Sequence, residues 1–214
     1  MVLFRKSRFH DEKDNFVPFD EIIRLPVIIC QAVIKKLFNF YPPTPCIPYG
    51  ARKVLNLIIN SNMRLVEFGS GQSTLWYAKR CKEIISLETT DIWFQKVKRN
   101  LLKANCTNAK LLKWDSKSIS AQLKIPPPDL IIIDGLRRDI CVEYAIEVAT
   151  DTTWIYLDNS DKDMAPPDPS REMRICEQNL INFAKSKNRE IKYFTGFAPG
   201  QFFAEQGMLI FPRL

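Results

Sequence analysis

From about residue 50 onward the chain alternates short apolar runs with segments of helical periodicity. Leu65–Phe68, Ile84–Leu87, Ala109–Leu112, Leu130–Ile133, Trp154–Leu157, Ile191–Phe194 and Met208–Phe211 are rich in β-branched and aromatic residues and predict strands. Ala51–Asn60 carries Val54, Leu55, Ile58 and Ile59 at helical spacing. Further helices are expected at Thr74–Cys81, Ile92–Lys103, Ser118–Leu123 and Ile140–Ala149, between the first five strands, and at Arg171–Lys187 before the sixth. Strands that alternate with helices build a parallel sheet covered on both faces. Asp129–Asp134 suits a central strand, because Leu130–Ile133 is apolar on both sides and ends on a carboxylate. The last two strands are joined by Gly196–Gly207 without a helix pattern, so they are expected to run antiparallel.

A chain of 214 residues that is 46% apolar can bury one substantial core. Residues 1–50 are therefore read as a helical and loop extension packed on a single domain at 51–214. The proline clusters Pro42-Pro43-Thr44-Pro45, Pro126-Pro127-Pro128 and Pro166-Pro167-Asp168-Pro169 mark rigid loops. Within the extension, Leu25–Ile34 is shorter than the roughly 20 residues of a membrane span. Packing against the domain is expected. With Lys35, Lys36, Leu37, Phe38 and Phe40 following, peripheral contact with a membrane surface is the alternative.

The net charge of +7 is concentrated at the front, where residues 1–64 hold ten Lys/Arg against five Asp/Glu. Such a basic layer can attract phosphate, anionic lipid or nucleic acid, or simply be a solvated surface. The six cysteines form no Cys-x-x-Cys pair and the only histidine is His10, so a Cys/His zinc site is not expected. No secretory signal is read at Met1–Lys6, which points to reduced thiols and a cytoplasmic location.

In open α/β sheets, ligands bind outside the carboxyl ends of the strands. The first strand ends in Glu67-Phe68-Gly69-Ser70-Gly71-Gln72-Ser73-Thr74. Gly69 and Gly71 permit a sharp turn and close ligand approach, and the following helix start offers free N–H groups. The second strand ends in Glu88, about 20 positions on, where an acidic group suits a ribose diol. The third ends near Trp114-Asp115-Ser116, where a carboxylate can accept from an adenine amino group. A dinucleotide-binding oxidoreductase shares the first two features, but the third glycine of its fingerprint would fall at Thr74.

With Glu67 before Gly-x-Gly, the residues resemble the class I S-adenosylmethionine-dependent methyltransferases, from about Pro48 to Leu214. The resemblance implies a Rossmann-like, seven-stranded, mostly parallel sheet with an antiparallel C-terminal strand and helices on both faces. It implies cofactor contacts from Glu67, Gly69, Ser70, Gly71, Ser73, Thr74, Glu88, Asp115, Ser116 and Asp134.

Asp134 ends the fourth strand and Asp158-Asn159 the fifth, a set of hard oxygen ligands suited to Mg²⁺ or Mn²⁺. This is similar to the divalent-cation-dependent O-methyltransferases of the catechol and caffeoyl-CoA type. It implies a metal site at Asp134, Asp158 and Asn159, at which a cation lowers the pKa of a substrate hydroxyl and holds it beside the methyl donor. Those relatives place a lysine base three positions after the first metal aspartate. Here Arg137 stands there, and arginine stays protonated. Asp134, Asp161 or Asp163 can serve as base instead, or Arg137 or Arg138 can orient an anionic acceptor. Asp134-Gly135-Leu136-Arg137 lacks the Asn/Asp-Pro-Pro-Tyr/Phe run of amino-methylating enzymes, so a nucleic-acid substrate is disfavoured.

Ile47-Pro48-Tyr49-Gly50, the Glu67–Thr74 loop and Ala198–Phe203 resemble small methyltransferases associated with glycan assembly. The expected acceptor is a hydroxyl of a glycan or other small molecule. Tyr49, Trp93, Arg138, Phe202 and Phe203 are candidate substrate contacts, and Asp161–Pro169 with Gly196–Gly207 are the loops expected at the opening. A metal-independent methyltransferase acting on a protein or small molecule, an NAD-binding oxidoreductase and a non-catalytic binding module remain alternatives.

Overall fold

The computed structural model describes residues 5–41, 43–115, 119, 123, 125–164 and 172–213. Three helices come first: α1 (Phe19–Ile22), α2 (Leu25–Phe38) and α3 (Tyr49–Ile58). The alternating part follows as β1 (Arg64–Phe68), α4 (Gln72–Ala78), β2 (Glu83–Glu88), α5 (Asp91–Lys103), β3 (Ala109–Lys113), β4 (Leu130–Ile133), α6 (Arg138–Val148) and β5 (Trp154–Leu157). The chain closes with α7 (Glu172–Ser186), β6 (Ile191–Phe197) and β7 (Ala204–Ile210). The helix expected at Ser118–Leu123 falls mostly outside the described residues, although Ile119 and Leu123 are buried in the core.

The seven strands form one sheet in the order β3-β2-β1-β4-β5-β7-β6. β1 to β5 are mutually parallel, and β7 lies antiparallel between β5 and β6. The fold is therefore the Rossmann-like one expected. Alternation along each strand sends neighbours to opposite faces. Val66, Ile131, Ile133 and Ile155 pack on Val142 and Leu180 of α6 and α7, whereas Leu65, Ile132 and Tyr156 pack on Leu55 and Tyr77 of α3 and α4. Full burial of each such side chain is worth roughly 1.5–3 kcal/mol, so continuous apolar strands favour this three-layer arrangement.

Sheet hydrogen bonding runs past the strand ends and fixes the residues beyond them. The Asp134 N–H donates to the Phe68 carbonyl at 2.9 Å, the Asp158 N–H to Ile133 at 3.0 Å, and the Trp114 N–H to Glu88 at 3.0 Å. Gly69 has φ +96°, and a Cβ there would lie 2.6 Å from the Asp134 carbonyl oxygen. Only glycine permits β1 and β4 to part this closely.

The N-terminal segment lies across the β6–β7 end. Asp11 Oδ2 accepts from the Thr195 hydroxyl at 2.8 Å and the Gln206 amide at 3.1 Å, and the Arg5 Nε donates to the Ala204 carbonyl at 3.0 Å. α2 meets the domain through a narrow face. Ile28 is its buried residue, and Gln31 accepts from the Tyr49 hydroxyl at 3.0 Å. Among the described residues, no helix is long and apolar enough to cross a membrane.

Candidate active site

A cleft of about 550 Å³ opens at the carboxyl ends of β1, β2 and β4, where the sheet order reverses direction. Its floor is Gly69, Ser70, Gly71, Gln72 and Ser73, one flank is Leu87, Glu88, Trp93 and Trp114, and the other is Asp134, Gly135, Leu136 and Arg138. The volume lies within the range of small-molecule and cofactor sites.

Glu67 organises the loop from below and does not line the cleft. Its carboxylate is buried and accepts from three hydroxyls: Ser73 at 2.5 Å, Thr74 at 2.6 Å and Ser86 at 2.6 Å. Thr74 Oγ1 in turn accepts the Gly71 N–H at 3.0 Å, and the Ser70 and Ser86 hydroxyls lie 2.6 Å apart. A carboxylate can only accept, so its charge sets the direction of every hydroxyl in this network. Glu67 is thus a positioning residue for the loop.

Burial pushes the Glu67 carboxyl up to about 7, against the three hydroxyl bonds that favour its ionised form. A raised acid pKa means the folded state holds the proton more tightly than the unfolded chain. The associated stability is complete below the unfolded pKa of about 4.5 and is lost as the pH rises through about 7. Burial shifts Asp158 and Glu205 in the same direction. Ligand-free protein is therefore expected to melt at a higher temperature near pH 5 than near pH 8. A calorimetric melting series across that range checks the sign.

Glu88 stands at the end of β2, buried, with one oxygen accepting the Ser70 N–H at 3.1 Å and the other the Thr90 N–H and hydroxyl, both at 2.8 Å. Its carboxylate is held rigidly at the cleft wall. Trp114, buried against Phe68, lines the cleft where Asp115 was expected. Asp115 is exposed and is not part of the lining, and Ser116 lies outside the described residues. A tryptophan at a strand end reads in sequence as core, and it serves as both core and wall.

Asp134, Asp158 and Asn159 do come together at one rim, and Arg138 joins them. One guanidinium nitrogen donates to Asp134 Oδ1 at 3.3 Å and to Asn159 Oδ1 at 3.2 Å, while the other nitrogens donate to the Asp158 and Gly135 carbonyls. Arg138 thus bridges two of the three side-chain oxygens expected to hold a cation. Behind it, the buried Asp158 accepts from the Tyr156 phenol at 3.0 Å. Tyr156 passes directly over Gly207, where a Cβ would fall 2.1 Å from the phenol oxygen.

Glu205, which the apolar pattern gave no reason to select, completes the cluster from β7. It is buried, and its Oε2 accepts from the Asn159 amide at 3.4 Å. Desolvation raises the carboxyls of Asp158 and Glu205 well above the usual range, helped by repulsion from Asp134 at Asp158 and from Asp158 at Glu205. Asp134 is raised as well, with Arg138 opposing the shift. Burial thus favours the protonated form throughout the cluster, and at Asp134, beside Arg138 at the cleft, the guanidinium charge is the largest influence opposing that shift.

Several expected site residues lie elsewhere. Arg137 has φ +53° and forms a surface fork with Asp139, at 3.0 and 2.9 Å, so its side chain leaves the cleft. Asp161 is buried and accepts the N–H groups of Gln206 and Glu12, both at 3.1 Å, which makes it a tie between β7 and the N-terminal segment. Asp163 accepts the Met173 N–H at 2.5 Å. Tyr49 is buried beneath Arg52 and bonded to Gln31. Phe202 packs on Phe197 and Phe9, and Phe203 lies under Arg5. None of these lines the cleft. Trp93 does, and Tyr41 accompanies it, with the Lys96 ammonium 4.4 and 4.7 Å from their ring centres. Lys35, Thr44 and Cys46 from the N-terminal segment and Pro199 from the β6–β7 loop close the mouth. Desolvation pushes the Cys46 thiol up to about 12, which leaves it protonated and poorly nucleophilic.

No family model matches the sequence, and no curated protein is similar enough to register. The structure is another matter. A candidate O-methyltransferase from Klebsiella pneumoniae superposes with a TM-score of 0.66 at 17% identity, over 90% of this chain and 100% of that one. The O-methyltransferase TomG from Streptomyces achromogenes, involved in tomaymycin synthesis and solved with S-adenosylmethionine, gives 0.66 at 15% identity, over 88% and 90%. The O-methyltransferase from Bacillus cereus, solved with S-adenosylhomocysteine, gives 0.62 at 18%, over 93% and 94%. The chain has the fold of the class I methyltransferases.

Proposed function

We propose that the protein is an S-adenosylmethionine-dependent methyltransferase acting on a hydroxyl group. The observation that carries this reading is the cleft at the β1–β4 reversal, with a hydroxyl-anchored Gly-x-Gly floor, an acidic wall at Glu88 and a carboxylate at Asp134. Gly71 adds to the fit. A Cβ there would touch only Ser73 Oγ, at 3.5 Å, so packing does not demand glycine, whereas a ligand lying on the loop would.

In this reading the Gly69–Ser73 floor holds the methionine end, Glu88 accepts from the ribose hydroxyls, and Leu87 with Trp114 covers the base. S-adenosylmethionine supplies an electrophilic methyl group, which an acceptor oxygen takes in line as the C–S bond breaks and its electron pair stays on sulfur. Asp134 accepts the hydroxyl proton. Arg138 holds that carboxylate in place and supplies fixed positive charge beside the developing alkoxide. Tyr41 and Trp93, rimmed by Lys35 and Lys96, suit a ring-bearing acceptor of the sugar class.

A divalent cation does not fit the donor set as built. Asp134 and Asn159 both accept from the Arg138 guanidinium, and Asp158 is engaged by the Tyr156 phenol and the Asp134 carboxyl. Turnover in excess EDTA is accordingly expected to stay within about twofold of that with Mg²⁺. A rate that collapses in chelator and returns with Mg²⁺ or Mn²⁺ would reinstate the cation. The reading as a whole is tested by calorimetric titration with S-adenosylhomocysteine against NAD⁺, followed by transfer of labelled methyl to a panel of glycosides. Tighter binding of NAD⁺ would overturn it.

A further inference from the structure

We propose that the outward face of α2 docks on an anionic membrane, with the cleft directly behind the docked helix. Val27, Ile29, Val33, Leu37 and Phe38 are 56%, 44%, 49%, 69% and 73% exposed. At helical spacing, these residues with Pro26 and Cys30 fill about half of the helix circumference. The opposite side carries Leu25, Ile28 and Ala32, of which Ile28 is fully buried. The apolar surface continues along the chain through exposed Ile23 before the helix and Phe40 after it. Single exposed apolar residues need no explanation, but a contiguous face of this kind marks an interaction surface.

Charge selects the occupant. α2 contains no acidic residue, exposed Arg24 and Lys36 flank its apolar arc, and Lys35 and Lys96 stand at the cleft mouth. An apolar arc bordered by lysine and arginine is the pattern of a helix lying in a lipid interface, and anionic headgroups add attraction for each nearby cation. Two copies of the face would bring like charges together. Lys35 shares the inward side of α2 with Ile28 and Gln31 and lines the cleft with Tyr41, so docking the outward face places the cleft directly behind the membrane-bound helix.

The test is flotation of the intact chain with vesicles of phosphatidylcholine containing about one-third phosphatidylglycerol, compared with phosphatidylcholine alone. The double variant Val33→Glu/Leu37→Glu changes two exposed residues outside the cleft, and its affinity for S-adenosylhomocysteine reports that fold and cofactor site persist. Wild-type protein is expected to float with the anionic vesicles. Binding should fall about tenfold or more in the double variant and on neutral vesicles. Absence of wild-type flotation overturns the proposal, as does equal flotation of the variant. Self-association in sedimentation velocity that the variant abolishes, without vesicle binding, assigns the face to a second copy instead. Cofactor affinity is read separately, so a failure of the methyl-transfer reading is distinguishable from a failure of this one.

Discussion

Gly71→Arg is expected to abolish binding of S-adenosylmethionine and S-adenosylhomocysteine while leaving the fold in place. Gly71 has an extended backbone at φ −163° that any residue adopts, and a Cβ there would meet only Ser73, at an ordinary contact distance of 3.5 Å. The folded chain therefore accommodates an arginine at no cost in backbone strain. The side chain would fill part of the cleft, and its charge would oppose the sulfonium of the methyl donor. A loss of about a hundredfold or more in affinity, near 3 kcal/mol, is expected in calorimetric titration. A melting temperature close to wild type is the control that separates a blocked site from an unfolded one. Ordinary affinity in a folded variant would move the cofactor off this loop. Gly69 offers no such clean test, because a side chain there collides with the Asp134 backbone.

The second large effect concerns the acceptor side. Asp134→Asn keeps an oxygen for Arg138 but removes the proton acceptor, so kcat is expected to drop by about 10²–10⁴. Cofactor affinity should stay near wild type, since the Gly69–Ser73 floor and Glu88 are untouched. Asp139→Asn, which breaks only the surface fork with Arg137, serves as the comparison and should leave the rate unchanged. If Asp134→Asn retains nearly full kcat, the base lies elsewhere, and the buried Asp158 and Glu205 become the groups to test.

Much of this was legible in the chain because the sheet is apolar on both faces. The cores of all seven strands were evident, and with them the carboxylates that end β2, β4 and β5. The beginning of β7 was not, since Ala204-Glu205-Gln206-Gly207 looks like a loop. It is strand because β6 pairs with it throughout that stretch and because Gln206 and Glu205 find buried polar partners. Glu205 was hidden for the same reason. Arg137 and Arg138 differ by one residue and by everything that matters: the left-handed turn at Arg137 sends its side chain to the surface, and the helix that begins at Arg138 turns the next one inward. Tyr49, Phe202 and Phe203 have the chemistry of pocket walls, yet they pack under the N-terminal segment, whereas Tyr41 reaches the cleft through a tertiary contact that no local pattern announces.

The placing of β7 between β5 and β6 also makes the acceptor rim depend on a strand from the end of the sequence. The pairing of Leu65 with Leu130 closes a longer stretch of chain than that of Ile155 with Ile210, so both the donor floor and the acceptor rim rest on long-range contacts, which are slow to close. β5 acquires its second neighbour only when β7 pairs with it. Glu205 travels with that strand, so the carboxyl cluster behind Arg138 is complete only once β7 is in place. A chain in which β7 has not docked would thus lack Glu205 behind its acceptor rim and leave the β5 edge open to mispairing.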